Sequence, residues 1–184
     1  MRILGIDPGS TATGFGVVER VGGQLRHVAH GTLRPPRAAE LSDRLSHLHA
    51  ELCGVVRAHT PDLCAVERVF VAASPRSALV LGQARGVALA ALGGRGLPVC
   101  ELSAREVKKA VVGTGAASKA QVQAMVTRLL RLEEEPQSDA ADALAIAICQ
   151  AHVAPRGAQG VVVRSRRRGR LASLPAEWAK RRAT

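Results

Sequence analysis

Three apolar runs in this chain carry acids at their boundaries, and this constrains the fold more than any other feature. Asp7 ends the run Ile3-Leu4-Gly5-Ile6, and Glu67 ends Leu63-Cys64-Ala65-Val66. Asp139 and Asp142 open a third apolar segment that continues to Ile148. A carboxylate with apolar neighbours is costly to desolvate unless something compensates it. A bound divalent cation is one compensation, and a donor set made only of oxygen suits Mg²⁺ or Mn²⁺. The pattern points to a two-metal phosphodiesterase.

The order of elements supports a site built from these acids. Residues 2 to 7 read as a buried strand, Pro8-Gly9-Ser10 as a turn, and Gly14 to Val21 as a second strand. Gly22-Gly23 is a hairpin signal before a third strand over about 25 to 33, so the chain begins as an antiparallel meander. Leu41, Leu45, Leu48, Leu52 and Val55 recur at helical spacing and predict a helix over about 39 to 59, stopped by Pro61. Leu63 to Val66 is a short strand, and Pro75 opens a helix that is apolar from Ala78 to Leu92 and closed by Gly93-Gly94. A fifth strand over 98 to 102 and helices at about 103 to 111, 119 to 132 and 138 to 152 complete the reading. Strands that alternate with helices after a meander imply a mixed α/β sheet with helices on its faces.

If the strands ending in Asp7 and Glu67 are parallel neighbours, both acids leave the sheet at one edge, where open α/β sheets place their sites. Asp139 and Asp142, three apart on a helix, share a face. Each acid also has a plainer reading: a first-turn helix cap for Asp139 or Asp142, a turn residue for Asp7, a partner of Arg68 for Glu67. Four such coincidences together are far rarer than any one.

At 184 residues with 47% hydrophobic content, the chain fits one domain with a substantial core. No run reaches the roughly 18 apolar residues of a membrane span. Asp7 and Pro8 interrupt what would be the apolar stretch of a signal peptide, so a cytoplasmic location is expected. Cys53, Cys64, Cys100 and Cys149 are far apart inside apolar segments and read as buried reduced thiols. The net charge of +11 is uneven: residues 156–184 hold nine Lys or Arg and one acid, Glu177. Two units are therefore expected, a nuclease domain over 1–155 and a flexible basic tail over 156–184. Arg164, Arg166, Arg167 and Arg168 lie in that tail, and its two readings are a solubilising arm and sequence-independent contact with phosphates.

Several blocks together resemble the RuvC-type Holliday-junction resolvases. They are Ile3-Leu4-Gly5-Ile6-Asp7-Pro8-Gly9-Ser10, Val66-Glu67-Arg68-Val69-Phe70, Ser77 to Ala88, Val107 to Gly113, Ser118 to Val122, and Asp139 to Ala145. They follow the family's order from residue 1 to about 153. The resemblance implies an RNase H-like fold, a five-stranded mixed sheet flanked by helices, acting as a homodimer on four-way junction DNA. Each subunit nicks one of two strands of like polarity, and the usual partners are the branch-migration proteins RuvA and RuvB. Matching residue by residue gives Asp7, Glu67, Asp139 and Asp142 as ligands of two Mg²⁺ per subunit, with Mn²⁺ as a substitute. Lys108 and Lys119 match basic residues near the DNA backbone and active centre, and Phe70 matches an aromatic that meets bases near the crossover. Ser74, where many members have Asn, and Arg76 are candidate DNA contacts. Leu79, Gly82 and Gly86 on the apolar helix are candidates for the dimer interface.

Two cations clamping the attacking water and the leaving 3′-oxygen would give 5′-phosphate and 3′-hydroxyl ends. Lys119 would offset charge on the scissile phosphate. Phe70 is one of only two Phe in a chain with one Trp and no Tyr, and it stacks on a base or anchors its loop. Arg85 faces DNA or an acidic neighbour. A ribonuclease H acting on RNA–DNA hybrids uses the same acids, a non-catalytic DNA-binding protein fits the basic tail, and an actin-like ATPase shares the Asp-x-Gly-Ser loop. The apolar helix and Phe70 argue against the ribonuclease, 184 residues are too few for the two domains an actin-like ATPase needs, and a non-catalytic binder leaves the four acids unexplained.

Overall fold

The computed structural model describes residues 1–9, 11–68 and 75–154. Five strands form one sheet: β1 (Arg2–Asp7), β2 (Thr13–Val21), β3 (Gln24–Leu33), β4 (Leu63–Glu67) and β5 (Val99–Leu102), in the order β3-β2-β1-β4-β5. The first three are antiparallel neighbours, and β1, β4 and β5 run parallel. This is the predicted mixed sheet. β1 is central, and Ile3, Leu4 and Ile6 are wholly buried because helices cover both faces. Gly22 and Gly23 both take positive φ, as a two-residue turn joining right-twisted strands requires.

Helices α1 (Leu41–His59) and α2 (Pro75–Gly93) cover one face, over Leu4, Ile6, Val17, Cys64 and Val66. Helices α3 (Ala104–Val112), α4 (Lys119–Leu130) and α5 (Ser138–Val153) cover the other, over Ile3, Val18, Ala65 and Leu102. Of the predicted stripe of α1, Leu48 and Leu52 are buried and Leu45 and Val55 half-buried, while Val56, beside the stripe, is buried instead; Thr60, in the left-handed region ahead of Pro61, closes the helix. Leu41 is exposed rather than part of the stripe. All four cysteines are free, but only Cys64 and Cys149 are buried; Cys53 and Cys100 are half-buried, which corrects the expectation of four buried thiols.

The position of α5 depends on missing side chains. Gly5 and Gly16 are register partners on β1 and β2, and Gly14 pairs with Asp7. A Cβ on Gly5 would strike the carbonyl oxygen of Ala143 and lie 2.7 Å from the amide nitrogen of Ala147. One on Gly14 would strike the carbonyl of Asp139, and one on Gly16 would lie 2.7 Å from the nitrogen of Leu144. The backbone of α5 therefore rests directly on the sheet, a close approach that only glycine permits. At the far end, Arg20 Nη1 donates to the carbonyls of Ala151 and Ala154, at 2.5 and 2.8 Å, satisfying groups that a helix end leaves open.

Capping boxes open α3 and α4: Ser103 accepts from the amide of Glu106 and Ser118 from that of Gln121, and each partner side chain returns a bond. The bonds from Ser103 hold the Glu106 carboxyl below its ordinary range. Ser103→Ala is expected to cost about 1 kcal/mol of stability in urea unfolding, the usual worth of such a cap.

Candidate active site

Ile6 pairs with Val66 in the parallel β1–β4 ladder, so the next residues, Asp7 and Glu67, leave adjacent strand ends side by side. Their carboxyls share a hydrogen bond. Burial, then repulsion from Glu67 and the hydrogen bond that protonated Asp7 donates to it, then the charge of Asp142, push the Asp7 carboxyl up to about 8; Lys119 opposes this only in part. Asp7 is a strand residue paired with Gly14, not a turn device, and Arg68 donates to the carbonyl of Glu101 rather than to Glu67.

Asp139 in the first turn of α5 and Asp142, three residues on, lie at the N-terminal end of the helix. The N-cap of α5 is Gln137, with no side-chain capping bond, so neither acid serves as a cap. Each has its own cation partner. Lys119 Nζ lies 2.7 Å from Asp142 Oδ2, and Arg34 Nη2 lies 3.6 Å from Asp139 Oδ2. The hydrogen bond to Asp142 raises the proton affinity of Lys119, so it stays an ammonium at neutral pH and does not act as a base. The Ser118 capping box sets Lys119 at the first position of α4.

A cleft of about 210 Å³ opens between α3, α4 and α5, with Glu67, Lys108, Lys119 and Asp142 in its walls. Val107, Val122 and Ile146 add an apolar lining. Among the described residues no three Asp, Glu, His or Cys side chains already form a metal cage. Lys119 and Arg34 each lie against an oxygen of one acid. The residues nevertheless fit a divalent cation. All the donors are carboxylate oxygens, and the raised Asp7 carboxyl marks a negative charge that nothing in the protein fully offsets.

Several sequence candidates fall elsewhere. Phe70, Ser74, Arg164, Arg166, Arg167 and Arg168 lie outside the described residues, as does the side chain of Arg76. Leu79 is 66% exposed on α2, and among the described residues nothing stands within 4 Å of a Cβ at Gly82 or Gly86, so no described residue covers this part of the helix. Arg85 meets an acidic neighbour, Glu101, at 2.6 Å. Arg34 is a site residue that the sequence does not single out. It is one of many arginines, and only the packing of α5 against β3 distinguishes it. Among the described residues no helix is long and apolar enough to cross a membrane.

A mixed five-stranded sheet with acids converging at the end of its central parallel pair defines a nuclease of the RNase H-like class. The family model for crossover junction endodeoxyribonuclease RuvC matches residues 3–150. The chain belongs to this family of Holliday-junction resolvases, whose members are metal-dependent endodeoxyribonucleases. It is 56% identical over 152 residues to the RuvC of Burkholderia multivorans, covering 83% of this chain and 84% of that one. It is 55% identical over 152 residues to the RuvC of Cupriavidus taiwanensis, with the same coverage. Among solved structures, Thermus thermophilus RuvC in complex with Holliday junction substrate superposes with a TM-score of 0.78 at 35% identity, over 82% of this chain and 93% of that one. The yeast mitochondrial Holliday junction resolvase Ydc2, at 16% identity and a TM-score of 0.59 over 80% of this chain and 76% of that one, shares the fold.

Proposed function

We propose that this enzyme resolves four-way DNA junctions by paired hydrolytic nicks, with Asp7, Glu67, Asp139 and Asp142 holding two Mg²⁺ ions, for which Mn²⁺ can substitute. The observation that carries the reading is the juxtaposition of Asp7 with Glu67 and Asp142 at a buried position; burial first, then those two acids, push the Asp7 carboxyl up to about 8. Bound divalent ions would polarise the scissile phosphate, activate the attacking water and stabilise the leaving 3′-oxygen, yielding 5′-phosphate ends. Asp7 contributes from the centre of the site, with Glu67 and Asp142 on either side of it. Asp139, already shared with Arg34, completes the set directly or through water. Lys119, held as an ammonium, turns from Asp142 toward the phosphate and offsets its growing charge. Lys108, in the wall of the same cleft, steadies the backbone of the cut strand.

Two cuts on a nearly two-fold substrate call for two active sites, and a homodimer supplies them. The open face of α2 at Leu79, Gly82 and Gly86 is the proposed contact. Phe70 is proposed to stack on a base at the crossover, with Ser74 and Arg76 beside it on DNA. We assign residues 1–155 to the nuclease domain and residues 156–184 to a basic arm on the DNA backbone. A cytoplasmic setting with RuvA and RuvB as partners accords with this role.

The test is a synthetic mobile four-way junction incubated with and without Mg²⁺, with nicks mapped on every strand. Paired nicks in two strands of like polarity, dependent on metal, are expected. Cutting of RNA–DNA hybrids in preference to junctions would replace this reading with a ribonuclease H. Removing residues 156–184 is expected to weaken junction binding and to flatten its dependence on salt, by about 0.9 in log–log slope for each phosphate that the arm neutralises. An unchanged slope would leave the arm without that role.

A further inference from the structure

A second cavity lies on the opposite side of the first turn of α5 from the catalytic cleft. It measures about 360 Å³ and is lined by His30, Gly31, Thr32, Arg34, Gln137 and Ala140. Strand alternation builds one wall. His30 pairs with Gly16 and Thr32 with Gly14, and both glycines face α5. His30, Thr32 and Arg34, two apart along the edge strand and its exit, therefore lie on the α5 side of the sheet. The N-terminus of α5 forms the opposite wall.

Three features of this cavity favour an anion. Arg34 engages Asp139 and Gln137 through Nη2 alone among the described residues, leaving Nε and Nη1 as donors on a side chain 54% exposed. Thr32 Oγ1 has no hydrogen-bond partner among the described residues, although it is shielded from solvent. Gln137 gives α5 no side-chain cap, so among the described residues the first-turn amides of this 16-residue helix have no side-chain acceptor at their positive end.

We propose that this cavity binds a backbone phosphate of the DNA strand that enters the active site, with Arg34 as its principal contact. The inference rests on the proposed action on DNA and extends it to a second phosphate, away from the scissile one. Arg34 would then bridge the bound strand and Asp139, joining substrate seating to the placement of a catalytic acid. Phosphate is the fitting chemistry because a planar guanidinium, a hydroxyl and helix amides can all donate to it. The nearby Asp139 is paired with the same arginine.

The experiment measures junction and plain-duplex affinity of the full chain in Ca²⁺, without cleavage, across a range of salt. The variants are Arg34→Gln, Arg34→Lys and Thr32→Val, each checked for melting temperature. Arg34→Gln is expected to weaken binding to both DNAs and to lower the log–log salt slope by about 0.9, the release expected for one phosphate contact. Arg34→Lys should restore the slope. Thr32→Val should weaken binding without changing the slope, since it removes a donor and no charge. A wild-type slope and affinity in Arg34→Gln would overturn the proposal and leave Arg34 as a holder of Asp139 only. Wild-type affinity in a folded Thr32→Val would also overturn it, because the cavity would then not be where the phosphate sits. Absence of any preference for junction over duplex in the unaltered chain would instead count against the proposed function, because the slope is read on either DNA.

Discussion

Asp7→Asn is expected to abolish junction cleavage, by at least about 10³-fold, while junction binding persists. That loss corresponds to about 4 kcal/mol of transition-state stabilisation at 1.36 kcal/mol for each factor of ten. The same change should stabilise the metal-free protein. In the fold Asp7 binds its proton far more tightly than in the unfolded chain, its carboxyl moving from 3.8 to about 8. The stability contributed by that proton is fully present below pH 3.8 and is lost as pH rises through about 8. Metal-free wild-type protein should therefore lose melting temperature across this window relative to Asp7→Asn, whose amide never ionises. Mg²⁺ should narrow the gap by stabilising the wild type and not the variant. Melting curves that run parallel with pH would show that Asp7 is not under this repulsion, and retained cleavage would remove it from the catalytic set.

Gly5→Ala should destabilise the fold by about 3 kcal/mol, at the upper end of overpacking, because the new methyl meets helix backbone rather than a side chain that can swing away. In a chain of 184 residues this is a fall in melting temperature of roughly 6–12 °C. Gly54→Ala is the control. Its Cβ would meet only the far end of Arg57, at 3.9 Å, and alanine in a helix interior is favoured over glycine by about 1 kcal/mol. A rise for Gly54→Ala beside a fall for Gly5→Ala would identify close helix–sheet contact, not glycine content, as the cause. Gly14→Ala should add a catalytic defect, because its methyl would push the backbone of Asp139 away from the sheet edge.

Hairpin, strands and helices are legible in the sequence because their signals are local. Gly22-Gly23 marks the turn, Pro61 the end of α1, and Pro75 the start of α2. The acids are legible for the same reason, since a carboxylate ending an apolar run stands out without any knowledge of its neighbours. Arg34 and the phosphate cavity are not. Arg34 meets Asp139 across 105 residues of chain, and no local feature distinguishes it from Arg26 or Arg37. The glycines of β1 and β2 read as ordinary strand residues, yet their purpose is set by what lies above them. The exposure of Leu41 and the half-burial of Cys53 and Cys100 are likewise set by tertiary packing and not by local pattern.

The sequence by itself determined which segments become strands and helices and singled out the four acids proposed to carry the chemistry, because apolar periodicity and turn residues act over a few neighbours. Only the tertiary structure decided that α5 lies on bare sheet backbone, that Asp7 must share its charge with Glu67, and that each acid of α5 has its own base. Those outcomes depend on distances between residues far apart in the chain, and electrostatic energy and close packing are set by such distances rather than by order along the backbone.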